Sequence, residues 1–184
     1  EIEEAFKKLK LNSERNLFIT SNLSQISKIR IPKEKKLNLI LGNLRKILKK
    51  NHTIFSPSSN LDLFYKQYIF DIENTPSFKM GPLAEHIRSQ KGSIRSMHPF
   101  WSVTGIGQNA KLLKNVSKHA YGYGSPWSIM LNLDTIQLNL GLHPSKAVTL
   151  IHHIETICGV PYRFNKEFEC KIKIKNRVKK EKFY

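Results

Sequence analysis

The chain is 184 residues long, 40% hydrophobic and 10% aromatic, which suffices for one core and is close to the size of a single domain. Its 24% of charged residues argues against disorder, and no apolar run reaches the roughly 18 residues a membrane span requires. The formal charge of +17 is concentrated in residues 28–50, with nine basic residues against Glu34, and 166–184, with eight against Glu167, Glu169 and Glu181; such fields attract polyanions such as nucleic acid, acidic membrane or a phosphate-rich cofactor.

In chain order, residues 2–11 predict a helix with Ile2, Phe6 and Leu9 on one face, glutamates early and lysines late. Residues 16–20 read as a short buried strand. Leu37, Ile40, Leu41, Leu44 and Leu48 then repeat at helical spacing. Residues 53–56 suggest a second strand, and 56–62 and 71–82 carry loop chemistry. A short helix is expected from Pro82 to Gln90, a strand from Val103 to Ile106 and a helix from Asn109 to Val116. Strict alternation over Thr135–Leu142 predicts another strand. The next helix is expected from Ser145, as its cap, to Cys158, with Gly159 and Pro161 ending it. Residues 168–174 alternate as a half-exposed strand. Alternating strands and helices point to a layered α/β domain.

The early residues are acidic and lack an export-like apolar block, so the expectation is a cytoplasmic protein. Two cysteines, Cys158 and Cys170, support neither a disulfide framework nor a thiolate zinc site. No nucleic-acid motif accompanies the charge, so a basic nucleic-acid module ranks behind the other readings.

On the Ser145–Cys158 helix, Ala147, Leu150, Ile151, Ile154 and Cys158 form the expected buried stripe, and Thr149, His152, Glu155 and Thr156 a polar one. Glu155 lies one turn from His152, so its carboxylate can hold one imidazole nitrogen and leave the other as a general base. The same spacing suits a plain surface pair. His153 is rotated by about 100° from His152 and faces elsewhere. His152-His153-Ile154-Glu155 lacks the i, i+4 histidines of a zinc-protease helix, so no metal is expected. Residues 95–107, with Arg95, Ser96, His98, Ser102, Gly105 and Gly107, suit an anion cradle or an ordinary turn-rich loop. Gly122-Tyr123-Gly124-Ser125-Pro126-Trp127 reads as a loop leading into a helix, where Tyr123 or Ser125 is a candidate to line a site, with ordinary turn chemistry the favoured alternative.

Together these motifs resemble the aminoglycoside 3-N-acetyltransferase family. The resemblance is carried by Arg95-Ser96-Met97-His98-Pro99-Phe100-Trp101-Ser102, by Gly124-Ser125-Pro126-Trp127 and by Thr149-Leu150-Ile151-His152-His153-Ile154-Glu155, in the family's order over roughly residues 14–163. It implies a three-layer α/β/α sandwich around a mixed sheet, with residues 1–184 as one acetyltransferase-like domain and 166–184 a basic C-terminal segment. It also implies direct acetyl transfer from acetyl-CoA to an amine of an aminoglycoside or related amino sugar. His152 takes the place of the base and Glu155 of its orienting partner. Thr20, Ser21, Asn22, Arg95, Ser96, His98, Pro99 and Ser102 fall on the cofactor loops, and Tyr123, Ser125 and Thr149 on the substrate side.

Two departures stand out. The family's Val-His-Ser-Ser-Leu is Ile19-Thr20-Ser21-Asn22-Leu23 here, and family members continue well past the histidine helix. The second departure leaves open a shortened enzyme, an inactive member, or one completed by another polypeptide or a further copy. With 31 basic against 14 acidic residues, the chain also suits a neutral or anionic amino sugar better than a polycationic drug.

Overall fold

The computed structural model describes residues 2–9, 11, 15–26, 31–48, 51–65 and 68–184. Part of the basic run 28–50 lies outside them.

The main sheet has five strands: β1 (Leu17–Ser21), β2 (Thr53–Pro57), β4 (Ile94–Arg95), β5 (Val103–Gly107) and β6 (Ile136–Leu140), in the order β4-β5-β2-β1-β6. β1 is parallel to β2 and β6, whereas β5 is antiparallel to both β2 and β4, so the sheet is mixed. Strand alternation sends Leu17, Ile19 and Ile54 to one face, against Leu37, Ile40, Leu41 and Leu44 of α2 (Lys33–Ile47) and Leu83 and Ile87 of α3 (Pro82–Arg88). Phe18 and Phe55 point the other way, against Trp127 and Met130 of α4 (Pro126–Asn132) and Leu150 of α5 (Leu150–Cys158). Two apolar cores on opposite faces of one sheet make the three layers that the resemblance implies.

Residues 166–184 are part of the folded structure. β7 (Phe168–Ile174) and β8 (Arg177–Phe183) form an antiparallel hairpin, and β7 pairs with β3 (Phe70–Asp71). Ile172 and Phe183 pack with Phe70 and Phe100 to anchor it. Its lysines are interleaved with carboxylates: Lys173 pairs with Asp71 at 3.0 Å, Lys182 with Glu167 at 2.9 Å, and Lys180 with Glu169. The hairpin is thus a mixed-charge surface instead of a uniform basic track. No helix among the described residues is long and apolar enough to cross a membrane.

Several local expectations change. α1 (Ile2–Lys8) buries Phe6, but Leu9 lies beyond its end and is 51% exposed. Residues Gln108–Asn115 form 3-10 rather than α-helical turns. The helix expected from Ser145 begins at Leu150, because Pro144–Lys146 form a separate 3-10 turn capped by the His143 side chain. Its buried stripe is also mistaken: Ile151, Ile154 and Cys158 are exposed, while His153 is fully buried. The reason is a docking bond, in which the Gly122 N–H donates to His153 Nδ1 at 3.0 Å and turns that edge of α5 inward.

Candidate active site

The carboxyl ends of β1, β2 and β6 lie on one edge of the sheet, the usual location of ligand clefts in open α/β folds. A cavity of about 440 Å³ opens there, lined among others by Thr20, Ser21, Asn22, Ser102 and Thr149. Two of them are fixed by side-chain bonds. Thr20 Oγ1 donates to Asn139 Oδ1 at 2.6 Å, and Asn22 Oδ1 accepts from the Ser24 amide and hydroxyl at 3.2 and 2.6 Å. Gly81 closes one side with φ 89°, and a Cβ on it would stand 3.1 Å from the Ser21 carbonyl oxygen. Lys79 and Lys146 give this cavity its cationic groups.

Arg95, Ser96, His98 and Pro99 are absent from that lining and are buried instead. The Arg95 guanidinium donates to the Thr75 and Ser58 carbonyls and to Ser102 Oγ, and lies 4.6 Å from the Phe70 ring centroid. Burial lowers its pKa to about 9, and each of its three nitrogens bonds a protein oxygen. Ser96 Oγ accepts from the Val103 amide at 2.9 Å. His98 Nδ1 accepts from the Trp101 amide at 3.2 Å, which makes Nε2 the donor to the Tyr184 carbonyl, also at 3.2 Å. The loop is therefore a clamp behind the cavity, and Trp101, Ser102 and Val103 at its end reach the lining.

The expected substrate residues also separate. Tyr123 is 83% exposed, and Ser125 is fully buried, where its Oγ donates to the Gly122 carbonyl and caps α4. Thr149 alone of the three lines a cavity.

His152 and Glu155 line a second cavity of about 340 Å³. His152 Nδ1 is 3.3 Å from Glu155 Oε2, the i, i+3 geometry expected on α5. Two further groups reach the same carboxylate. Tyr162 O–H donates to Oε1 at 3.2 Å, and Arg163 Nε bonds Oε2 while Arg163 Nη2 touches His152 Nδ1. Burial pushes the Glu155 pKa up, but the bonds from Arg163, His152 and Tyr162 outweigh it and hold the carboxyl below its ordinary range. Trp101 and Tyr121 line both cavities, and the Tyr121 ring meets His152 edge-on at 5.6 Å between centroids. The dyad thus stands across an aromatic wall from the first cavity. Arg163 and Tyr121 escaped the sequence reading: Arg163 lies past the Gly159 helix stop, where no periodicity ties it to Glu155. Among the described residues no three His, Cys, Asp or Glu side chains gather as metal ligands.

The family profile of aminoglycoside 3-N-acetyltransferases matches residues 23–183. The chain belongs to that family. The match runs through the β7–β8 hairpin, so this basic segment lies within the family region. Similar solved structures include aminoglycoside acetyltransferase AAC(3)-Xa, with a TM-score of 0.85 at 20% identity over 99% of this chain and 69% of that one. AAC-VIa bound to sisomicin gives 0.85 at 20% identity, covering 100% and 73%. AAC-IIIb in binary complex with CoASH gives 0.84 at 18% identity, covering 99% and 73%. At these identities the likeness establishes the fold shared with family members. No curated protein matches by sequence.

Proposed function

We propose that the chain transfers acetyl from acetyl-CoA to an amine of an aminoglycoside or related amino sugar, with His152 as general base and Glu155 as its orienting partner. The observation that carries this reading is the 3.3 Å pair of His152 and Glu155 across the Trp101–Tyr121 wall from a cavity that contains Lys79 and Lys146. A His152 Nδ1–H donated to Glu155 leaves Nε2 with a lone pair to receive the amine proton during attack. The carboxylate also steadies the imidazolium that forms. Lys79 and Lys146 supply the positive field that the cofactor's phosphates require, and Thr20, Ser21, Asn22 and Ser102 supply hydroxyl and amide groups along the same lining. The solved relatives with CoASH and with sisomicin support both halves of the assignment.

The test is thiol release from acetyl-CoA in the presence of an amino-sugar panel. His152→Ala should lower turnover by about 10²-fold or more, with CoA affinity nearly unchanged, and Glu155→Gln should lower it by less. A fully active His152→Ala would end this mechanism.

A second reading, in which the enzyme works with this part of the fold docked against further polypeptide, is favoured by the outer face of α5. There Ile151, Ile154 and Ile157 are 40–48% exposed side by side.

A further inference from the structure

We infer that the acceptor is an amine that also carries an acidic group, a phosphate or carboxylate, and that Arg163 and Lys166 recognise this group. The inference rests on the acetyl-transfer reading of the same site.

Charge at the dyad cavity carries the argument. Among the described residues lining it, the cationic side chains are Arg163 and Lys166, and Glu155 is the one acidic side chain. Glu155 is already ion-paired with Arg163 and bonded by His152 and Tyr162, so its charge is largely offset within the protein. The adjoining cavity adds Lys79 and Lys146 and contributes no carboxylate. A polycationic acceptor would therefore meet an excess of like charge, whereas an amine with an acidic arm would meet two cations. Beyond the Nε bond to Glu155 and the Nη2 contact with His152, the Arg163 guanidinium has further N–H groups to offer an anionic oxygen, and Lys166 sits over the Phe168 ring, 5.3 Å from its centroid.

Arg163 also couples recognition to chemistry. Its Nη2 contacts His152 Nδ1, and an N–H donated there requires a lone pair on Nδ1 and a proton on Nε2, the tautomer that cannot act as base at Nε2. When an anionic arm draws the guanidinium outward, Nε2 can give its proton to water while Nδ1 takes one up, so that Nδ1–H points at Glu155 and the lone pair is left on Nε2. Transfer then balances. The amine nitrogen bonds the thioester carbonyl carbon, the C–S bond breaks, and His152 passes the amine proton to the departing thiolate, giving an amide and free thiol.

The test is calorimetric titration of the CoA-saturated protein with glucosamine 6-phosphate, glucosamine and sisomicin, with thiol release from acetyl-CoA measured in parallel. Glucosamine 6-phosphate should bind at least about tenfold more tightly than glucosamine, with the advantage shrinking in high salt. It should also shrink in Arg163→Gln and in Lys166→Gln; the latter alters an exposed side chain and leaves the dyad contacts in place. Equal binding of the two sugars, tighter binding of sisomicin, or no saturable binding of glucosamine 6-phosphate would each overturn the inference. Phosphate preference without thiol release would uphold the recognition and refute the transfer reading. Thiol release with no phosphate preference would do the reverse.

Discussion

Replacing Arg95 with Met separates a structural clamp from a cofactor ligand. Arg95 is 8% exposed, and its guanidinium serves the Thr75 carbonyl, the Ser58 carbonyl and Ser102 Oγ. Methionine fills much of the volume and donates nothing. The Ser58 carbonyl keeps the Ser102 hydroxyl at 2.8 Å, so the main loss falls on Thr75, whose carbonyl would be buried with one partner fewer. Leaving a buried acceptor short costs about 1–3 kcal/mol, and loss of the cation over the Phe70 ring adds about 0.5–2 kcal/mol. Release from burying a charge offsets part of this, consistent with a pKa depressed to about 9. The net expectation is a destabilisation of about 1–4 kcal/mol. With a slope of about 2 kcal/mol/M, the urea midpoint should fall by about 0.5–2 M at unchanged slope. CoA affinity, measured under native conditions on the folded fraction, should stay within about twofold. A wild-type midpoint combined with a tenfold or greater loss of CoA affinity would refute the clamp and make Arg95 a ligand-facing group.

Two further expectations concern acid and backbone. Burial dominates at His98 and lowers its pKa from 6.5 to about 4, so its contribution to stability is complete above pH 6.5 and drains away as pH falls to about 4. At Glu85 burial works upward, yet bonds from Arg88 and Ser77 hold the carboxyl at about 2; at Asp71 burial is likewise outweighed by Asn74 and Lys173, also to about 2. These carboxylates contribute fully above their ordinary values near 4 and lose that contribution as pH falls toward 2. Urea midpoints should therefore be flat between about pH 6.5 and 8 and descend in two stages below that, with Glu85→Gln flattening the second; a flat profile down to pH 3 would contradict both assignments. Gly107→Ala should be destabilising by about 2–4 kcal/mol in thermal or urea unfolding, since φ is 128° and the new Cβ would stand 2.3 Å from the His52 carbonyl oxygen. A neutral substitution there would disprove that geometry.

Much of the fold was legible because the main strands alternate cleanly. Leu17, Phe18 and Ile19 divide between two cores as period-two patterning requires, and α2 buries the leucines its spacing selected. The dyad was legible for the same reason, since i, i+3 spacing on a helix is nearly a distance. Contacts between distant segments were not. The pattern on α5 nominated isoleucines for burial, but the Gly122 amide, 31 residues from His153, decided which edge docks. Arg95 read as an anion ligand because a lone arginine in a turn-rich loop looks the same whether it faces solvent or carbonyls. What separates the two cases is the arrival of Ser58 and Thr75 from other parts of the chain.

The aromatic wall has an optical consequence. The chain contains two tryptophans, Trp101 and Trp127, and both line the larger cavity. Indole emission from this protein consequently has no background from elsewhere in the chain. Trp101 also borders the dyad cavity, beside a basic lip, so its spectrum samples the polarity at the seam where the two substrates must meet. Unlabelled protein is thus its own spectroscopic reporter, and comparison of Trp101→Phe with Trp127→Phe would resolve which side of the seam a given molecule has entered.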